Sequence, residues 1–295
     1  MKKIRKAVLP VAGFGTRVLP ATKTIPKEML PVVDRPALQY VVDEAIEAGI
    51  EHFVFVTGRN KGAIEDYFDR AYELEYSLRQ KGKTEIYEAL DADTPKAGTM
   101  SFVRQQSAKG LGHAIWCARD VIGDDPFAIL LPDVLVKSKQ SCLAQMVDAY
   151  NSVGGNVIAV DAVPKERVSS YGVIAPDLNS EQRSDGLVKM TGMVEKPSVA
   201  DAPSNLKITG RYILQPEIMS LLSDQEAGAG GEIQLTDAMA RMMKTQDFHA
   251  FEYEGQDYDC GSKYGYFEAV MAYAVDHPEI GSEARALVKA RAKHL

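Results

Sequence analysis

Arg17, Lys23 and Lys27 share the segment GFGTRVLPATKTIPKEMLP (residues 13–31) with Gly13, Gly15, Pro20, Pro26 and Pro31. Glycine lets the backbone approach a ligand and turn its N–H groups toward an anion, and the cations supply positive charge. Each proline removes a backbone donor and pushes the residue before it toward extended geometry, so the segment should wrap with its cations inward. The chemistry on offer is the holding of phosphates. Asp133 follows the apolar run Phe127 to Pro132 and should emerge at the carboxyl end of a strand, where ligands of open α/β sheets bind. A carboxylate there suits Mg²⁺, which takes one or two carboxylates together with water and phosphate oxygens. Lys196, directed by Pro197, can place a compact charge on a phosphate. Gln105, after the strand-like Met100 to Arg104, can offer an amide donor and acceptor to a pyrimidine edge. Asp259, within Tyr258-Asp259-Cys260-Gly261, reads by itself as a turn residue. His113 opens an amphipathic stretch with Ile115, Trp116 and Ala118 and reads as a satisfied structural residue.

Two common nucleotide loops are excluded. The dinucleotide fingerprint needs a third glycine where this chain has Val18, and an immediate helix where it has Pro20. The Gly-x4-Gly-Lys-Ser/Thr loop occurs nowhere in the sequence.

Residues 13–31 instead resemble the signature loop of the sugar-nucleotide pyrophosphorylases. The likeness continues in order through Val103-Arg104-Gln105, Lys109-Gly110-Leu111-Gly112-His113-Ala114, Leu131-Pro132-Asp133, Tyr171-Gly172-Val173, Val194-Glu195-Lys196-Pro197, Gly210-Arg211-Tyr212, Gly231 to Ala238 and Asp259-Cys260-Gly261. It implies a Rossmann-like α/β fold, with a mixed, mostly parallel central sheet flanked by helices, a smaller sugar-binding lobe and C-terminal helices. It implies UTP and glucose 1-phosphate as substrates, UDP-glucose as product and Mg²⁺ as cofactor. Ala12, Gly13, Gly15, Gln105 and Gly110 then bind the nucleotide, with Asp133. Gly172, Glu195 and Lys196 meet the sugar phosphate, Asp133 and Asp259 hold the metal, and Arg17, Lys27 and Lys196 act on the phosphates. Related readings are a thymidylyltransferase or another sugar-1-phosphate nucleotidyltransferase; from another class, a sensor that keeps the pocket without the chemistry. Retention of Arg17, Lys27, Asp133, Lys196 and Asp259 together argues against the sensor.

The elements that must position these residues alternate strand and helix through the first half, which indicates a parallel or mixed sheet with helices on both faces. Strands are expected near 6–12, 52–57, 100–104, 127–132 and 156–162. A packing helix is expected over Pro36 to Gly49, from the stripe Leu38, Val41, Val42, Ala45 and Ile46. Residues 61–93 read as a long polar helix followed by an insertion, with Tyr72, Leu74, Tyr76 and Leu78 partly buried. Shorter strands over Gly172 to Ala175, Val188 to Glu195 and Ile208 to Leu214 suggest a second lobe inserted over the sheet edge. Glu232 and Asp237 are expected as charges at a helix N-terminus. Helices over 263–276 and 281–293 close the chain. The whole reads as one domain: 1–165 for the nucleotide, 166–260 for the sugar and 261–295 as closing helices with a surface suited to a homodimer or homotetramer.

With 295 residues, 45% hydrophobic and 25% charged, the composition is that of an ordinary globular protein. No apolar run approaches the roughly 20 residues that span a bilayer, and the apolar stretch near the start is short and contains Pro10, unlike a signal peptide. A cytoplasmic protein, not bound to membrane, is expected. The three cysteines, Cys117, Cys142 and Cys260, lack the spacing of a disulfide framework or zinc site. A net charge of −7 argues against nucleic-acid binding, so anionic ligands must be met by a local cationic cluster.

Overall fold

A computed structural model of the chain describes residues 1–177, 186–224, 228 and 231–293. Among them, nine strands form one sheet in the order Met100–Arg104, His52–Thr57, Lys6–Pro10, Phe127–Leu130, Leu206–Leu214, Asn156–Ala162, Phe248–Glu252, Leu187–Glu195 and Gly172–Pro176. The first four run parallel to one another. Leu206–Leu214 is antiparallel to both its neighbours, Asn156–Ala162 and Phe248–Glu252 are parallel, and the last two strands are each antiparallel to the strand before them. The expected mixed sheet is thus found, with its parallel pairs concentrated in the N-terminal half. Parallel neighbours require a crossover, supplied between Lys6–Pro10 and His52–Thr57 by the helix Ala37–Glu47. The strands Gly172–Pro176, Leu187–Glu195 and Leu206–Leu214 belong to this same sheet, and Leu206–Leu214 lies at its centre.

The inner parallel strands Lys6–Pro10, His52–Thr57 and Phe127–Leu130 are apolar along their buried length because both faces are covered. Alternate residues of Lys6–Pro10 and His52–Thr57 point to opposite faces, so Leu9 and Phe55 join one core while Val8, Val54 and Val56 join the other. The helices Ala37–Glu47 and Cys142–Val153 bury Leu38, Val41, Leu143 and Met146 in the first core. The second is filled by Ile115, Ile122, Leu222 and Met239. Residues 61–93 form three short helices, Gly62–Tyr67, Tyr72–Gln80 and Thr84–Asp93, rather than one long one. Of the four side chains expected to be partly buried there, Leu78 is buried whereas Tyr72, Leu74 and Tyr76 are exposed. The closing helices are Lys263–Ala274 and Gly281–Ala292. Among the described residues, no helix is long and apolar enough to cross a membrane.

One buried ion pair ties this frame to the turn that carries Asp133. Arg211, fully buried on the central strand, donates to both carboxylate oxygens of Glu44, Nε at 2.9 Å and Nη2 at 2.8 Å. It also donates to the carbonyls of Leu131 at 3.1 Å and Val134 at 2.7 Å, one on each side of Pro132 and Asp133. Glu44 in turn accepts from the backbone N–H of Leu143. Removing one member of such a pair leaves a buried, uncompensated charge. Glu44→Leu is therefore expected to lower the unfolding free energy by about 3–5 kcal/mol in urea melts; a loss within experimental error would show that the pair does not hold the frame.

Candidate active site

Asp133 and Asp259 lie far apart in sequence and are joined by a two-stranded ribbon. Val134–Lys137 pairs antiparallel with Gln256–Asp259, placing Val134 opposite Asp259, and the Cys260 N–H donates to the Asp133 carbonyl at 2.8 Å. Gly261 sits between the two carboxylates. A Cβ there would meet the Arg17 Nη2 first and then stand 2.7 Å from Asp133 Oδ2 and 2.9 Å from Asp259 Oδ1, so only glycine fits where these three side chains converge.

The glycine and proline loop wraps as expected, in three short 3-10 turns, Thr16–Val18, Ala21–Lys23 and Lys27–Met29. Gly15 takes a φ of 67°, and its carbonyl accepts from Thr22 Oγ1 at 2.7 Å; a Cβ would come within 3.1 Å of the Lys27 Cβ. Lys27 passes beside Gly13 and brings its Nζ to 2.5 Å from Asp133 Oδ2. Arg17 bridges the two acids, 3.6 Å from Asp133 and 3.3 Å from Asp259. Lys23, the third cation, is exposed, a correction to the expectation that all three face inward. The neighbouring Glu28 is buried and accepts from Lys61 Nζ at 2.8 Å, which pins the loop to the body of the protein.

Burial alone would push the Asp133 carboxyl up, but the charge and hydrogen bond of Lys27, with Arg17 behind it, outweigh this and hold it below its ordinary range. Burial would likewise lower Lys27; the Asp133 and Glu28 charges overcome it and raise the ammonium. Both groups are charged at neutral pH.

Ala12 and Gly13 follow the strand Lys6–Pro10 at its carboxyl end. Gln105 extends the neighbouring edge, its N–H donating to the Thr57 carbonyl at 2.8 Å. Its buried side chain donates from Nε2 to the Gly110 carbonyl at 3.1 Å and lies 3.0 Å from His113 Nδ1. Gly110, with a φ of 100°, has Ile233 and Glu232 so close that a Cβ would stand 2.8 Å from each. Gln105 and Gly110 are thus brought together, and the His113 ring lies against the Gln105 amide.

A cleft of about 230 Å³ has Arg17, Asp133, Asp259, Gly172 and Glu195 in its walls. Glu195 is held by the Thr236 hydroxyl, which donates to its Oε2 at 2.8 Å, and a Cβ on Gly172 would stand 3.2 Å from the same oxygen. Lys196 stands beside Glu195 with Nζ 3.8 Å from its Oε1; it is mostly exposed and is not joined to Asp133 or Asp259 by any ion pair among the described residues. Its φ of 47° just before Pro197 is unusual, since a residue preceding proline favours extended backbone. Such a conformation costs on the order of 1–3 kcal/mol and is concentrated at functional sites. The Tyr171 carbonyl accepts the Lys196 N–H at 3.0 Å and helps to hold it.

Sequence reasoning missed Thr236, which lies beside the Asp237 it did single out. Asp237 does fall in the first turn of the helix Leu235–Met242, whereas Glu232 precedes that helix and packs on Gly110. It also missed Lys207 and Asp257, paired at 2.6 Å in the cleft wall; their signal, a lysine within an apolar strand, carries no chemistry by itself. A larger, more open depression of about 820 Å³ includes Glu47, Asp148, Glu252 and Glu254 against Lys139, the wrong sign for a phosphate ligand.

Residues 6–275 match the nucleotidyl transferase family, and the chain belongs to it. The chain is 53% identical to the UTP–glucose-1-phosphate uridylyltransferase of Komagataeibacter xylinus, over 89% of this chain and 91% of that one. It superposes on a UTP-bound UGPase from Acinetobacter baumannii with a TM-score of 0.89 at 47% identity, covering 97% of this chain and 98% of that one. A UDP-glucose pyrophosphorylase complexed with UDP-glucose gives a TM-score of 0.82 at 45% identity, over 92% and 98%.

The depressed Asp133 carboxyl contributes stability that is full above the ordinary value near 3.9 and is lost as pH falls through the folded value. The raised Lys27 ammonium contributes stability that is full below its ordinary value near 10.4. The stability difference between the wild type and Lys27→Met should therefore be level from about pH 5 to 9 and shrink below about pH 4. Urea melts across pH check this; a difference that persists unchanged to pH 2 would remove the Asp133 contact as its source.

Proposed function

We propose that this chain makes UDP-glucose and pyrophosphate from UTP and glucose 1-phosphate. The observation that carries the reading is the convergence of Asp133, Asp259, Arg17 and Lys27 at one end of a cleft whose walls also hold Gly172 and Glu195. The relatives' own substrates agree with it. Residues 1–295 act as one nucleotidyltransferase unit, with the nucleotide on 1–165 and the sugar largely on 166–260. Leu287 and Val288, exposed on the last helix, support assembly into a homodimer or homotetramer.

Two polyanions repel one another, so positioning and electrostatics matter more here than a protein nucleophile. A phosphate oxygen of glucose 1-phosphate attacks the α-phosphorus of UTP in line. The new oxygen–phosphorus bond forms as the bond to the β-phosphate bridging oxygen breaks, and pyrophosphate leaves with that electron pair. The sugar phosphate is already largely ionised near neutral pH, so no general base is required. Arg17 and Lys27 exchange their carboxylate partners for the β- and γ-phosphates and then neutralise the departing pyrophosphate. Lys196 steadies the sugar phosphate, while Glu195, oriented by Thr236, accepts from sugar hydroxyls close to the backbone of Gly172. Ala12, Gly13, Gly15, Gln105 and Gly110 frame the uridine.

The donor set beside Gly261 fits Mg²⁺ once Arg17 turns to phosphate: Asp133 and Asp259 converge there, and this cation takes one or two carboxylates with phosphate oxygens and water. Asp133 and Asp259 would hold it, and when bound it supplies charge that offsets the phosphates.

Pyrophosphate release measured across UTP, TTP, CTP and ATP with several sugar phosphates, at varied Mg²⁺, tests the assignment; preference for UTP with glucose 1-phosphate is expected. Asp133→Asn should lose activity and Mg²⁺ dependence together, and an unchanged metal titration would take Asp133 out of the site. Lys196→Ala should lower turnover by about 10², the order seen when one transition-state donor is removed. Near-normal turnover would end that role.

A further inference from the structure

The environment of Gln105 decides which half of its amide a nucleobase meets. An amide carries two donor hydrogens on nitrogen and an acceptor oxygen. Gln105 Nε2 lies 3.1 Å from the Gly110 carbonyl, which can only accept, so the nitrogen and not the oxygen faces that side. The same nitrogen lies 3.0 Å from His113 Nδ1. Both hydrogens are used within the protein when His113 is neutral with Nδ1 unprotonated, and Oε1 is what remains for a ligand. An acceptor suits the imide N3–H of uracil; the unprotonated N3 of cytosine would face it lone pair to lone pair.

We propose that His113 is a positioning residue for base selection, locking the Gln105 amide with its oxygen toward the base so that uracil is accepted and cytosine refused. The inference rests on the reading above that Gln105 meets the base. Turning the amide over would set its oxygen against two acceptors, Gly110 O and His113 Nδ1, and removing His113 takes away one of them. The imidazole is itself held in place. It stacks on Trp116 with ring centroids 5.7 Å apart, and the Arg119 guanidinium covers the Trp116 ring at 3.7 Å.

The groups around the imidazole keep it in the state the lock requires. Burial and then the Lys109 charge from the preceding loop hold His113 below its ordinary value, favouring the neutral ring. On its own helix the Cys117 Sγ lies 3.9 Å from Nδ1, and burial pushes that thiol up, so it stays uncharged. From the segment packed over the loop, Glu232 contributes its Cβ against Gly110. Protonating His113 would turn Nδ1 into a second donor opposing Nε2–H, which releases the amide.

The test is kcat/KM for UTP and for CTP, measured from pH 5 to 8 on the wild type, His113→Ala, His113→Asn and Gln105→Leu, with thermal melting alongside. His113→Ala is expected to narrow the UTP:CTP ratio by roughly 3–10-fold, the worth of one hydrogen bond, mainly through the nucleotide KM. His113→Asn can place Oδ1 where Nδ1 was and should restore most of the ratio. In the wild type the ratio should narrow toward acid pH by more than in His113→Asn, where only protonation of the cytosine ring contributes. If His113→Ala fails to fold, His113→Phe, which keeps the stack on Trp116 but offers no acceptor, takes its place: a UTP:CTP ratio equal to the wild type's overturns the lock. Should Gln105→Leu leave the UTP:CTP ratio unchanged, Gln105 does not meet the base and the underlying reading fails. If Gln105→Leu collapses the ratio but His113→Ala keeps the wild-type ratio and pH profile, only the role of His113 is refuted.

Discussion

The attraction between Asp133 and the two cations of the opening loop is the interaction on which the site depends. Buried carboxylates and ammonium groups are costly to desolvate, and each is tolerated here because its partner lies within ion-pair distance. The pairing keeps Lys27 charged and Asp133 ionised, and it holds Arg17 and Lys27 where the proposed reaction needs cations for phosphate. Before substrate binds, acids and bases neutralise one another. When polyanions enter, the same side chains can redistribute: the bases to phosphate, the acids to a metal. In the proposed reaction one cluster thus serves both the resting protein and the chemistry.

That cluster is possible only because rigid elements deliver its members from distant parts of the chain. Asp133 leaves the sheet on a turn held by Arg211, and Asp259 arrives on a ribbon whose register is set by backbone pairing. Gly261 lets Arg17 and both aspartates converge, and Glu28 with Lys61 anchors the loop from behind. None of these supports touches a phosphate in the proposed reaction. They fix the distances on which electrostatic catalysis depends, since misplacement of charge by even an ångström weakens it.

The parallel half of the sheet was legible because strands covered on both faces leave continuous apolar runs such as Ala7 to Leu9 and Phe53 to Val56. The place of Leu206–Leu214 between two strands distant in sequence was not, because pairing of remote strands is decided by tertiary packing and leaves no local pattern. The same contrast holds at the site. Arg17 and Lys27 could be picked out from their company of glycines and prolines, yet nothing local distinguishes the inward Lys27 from the exposed Lys23; the phase of three short 3-10 turns does that. Asp259 needed the ribbon to bring it to Asp133. Tyr72, Leu74 and Tyr76 were expected to be partly buried and instead face outward on a short helix of an otherwise polar segment. His113 and Thr236 act through the side chains they orient, Gln105 and Glu195, and such relations appear only once partners are in place.

The most direct measurement is a crystal structure of the chain with Mg²⁺ and a non-hydrolysable UTP analogue. The account predicts that Lys27 Nζ leaves Asp133 for phosphate oxygens while Asp133 and Asp259 both turn to the metal beside Gly261. A structure in which Lys27 keeps its contact with Asp133 and the ion binds away from both aspartates would contradict it.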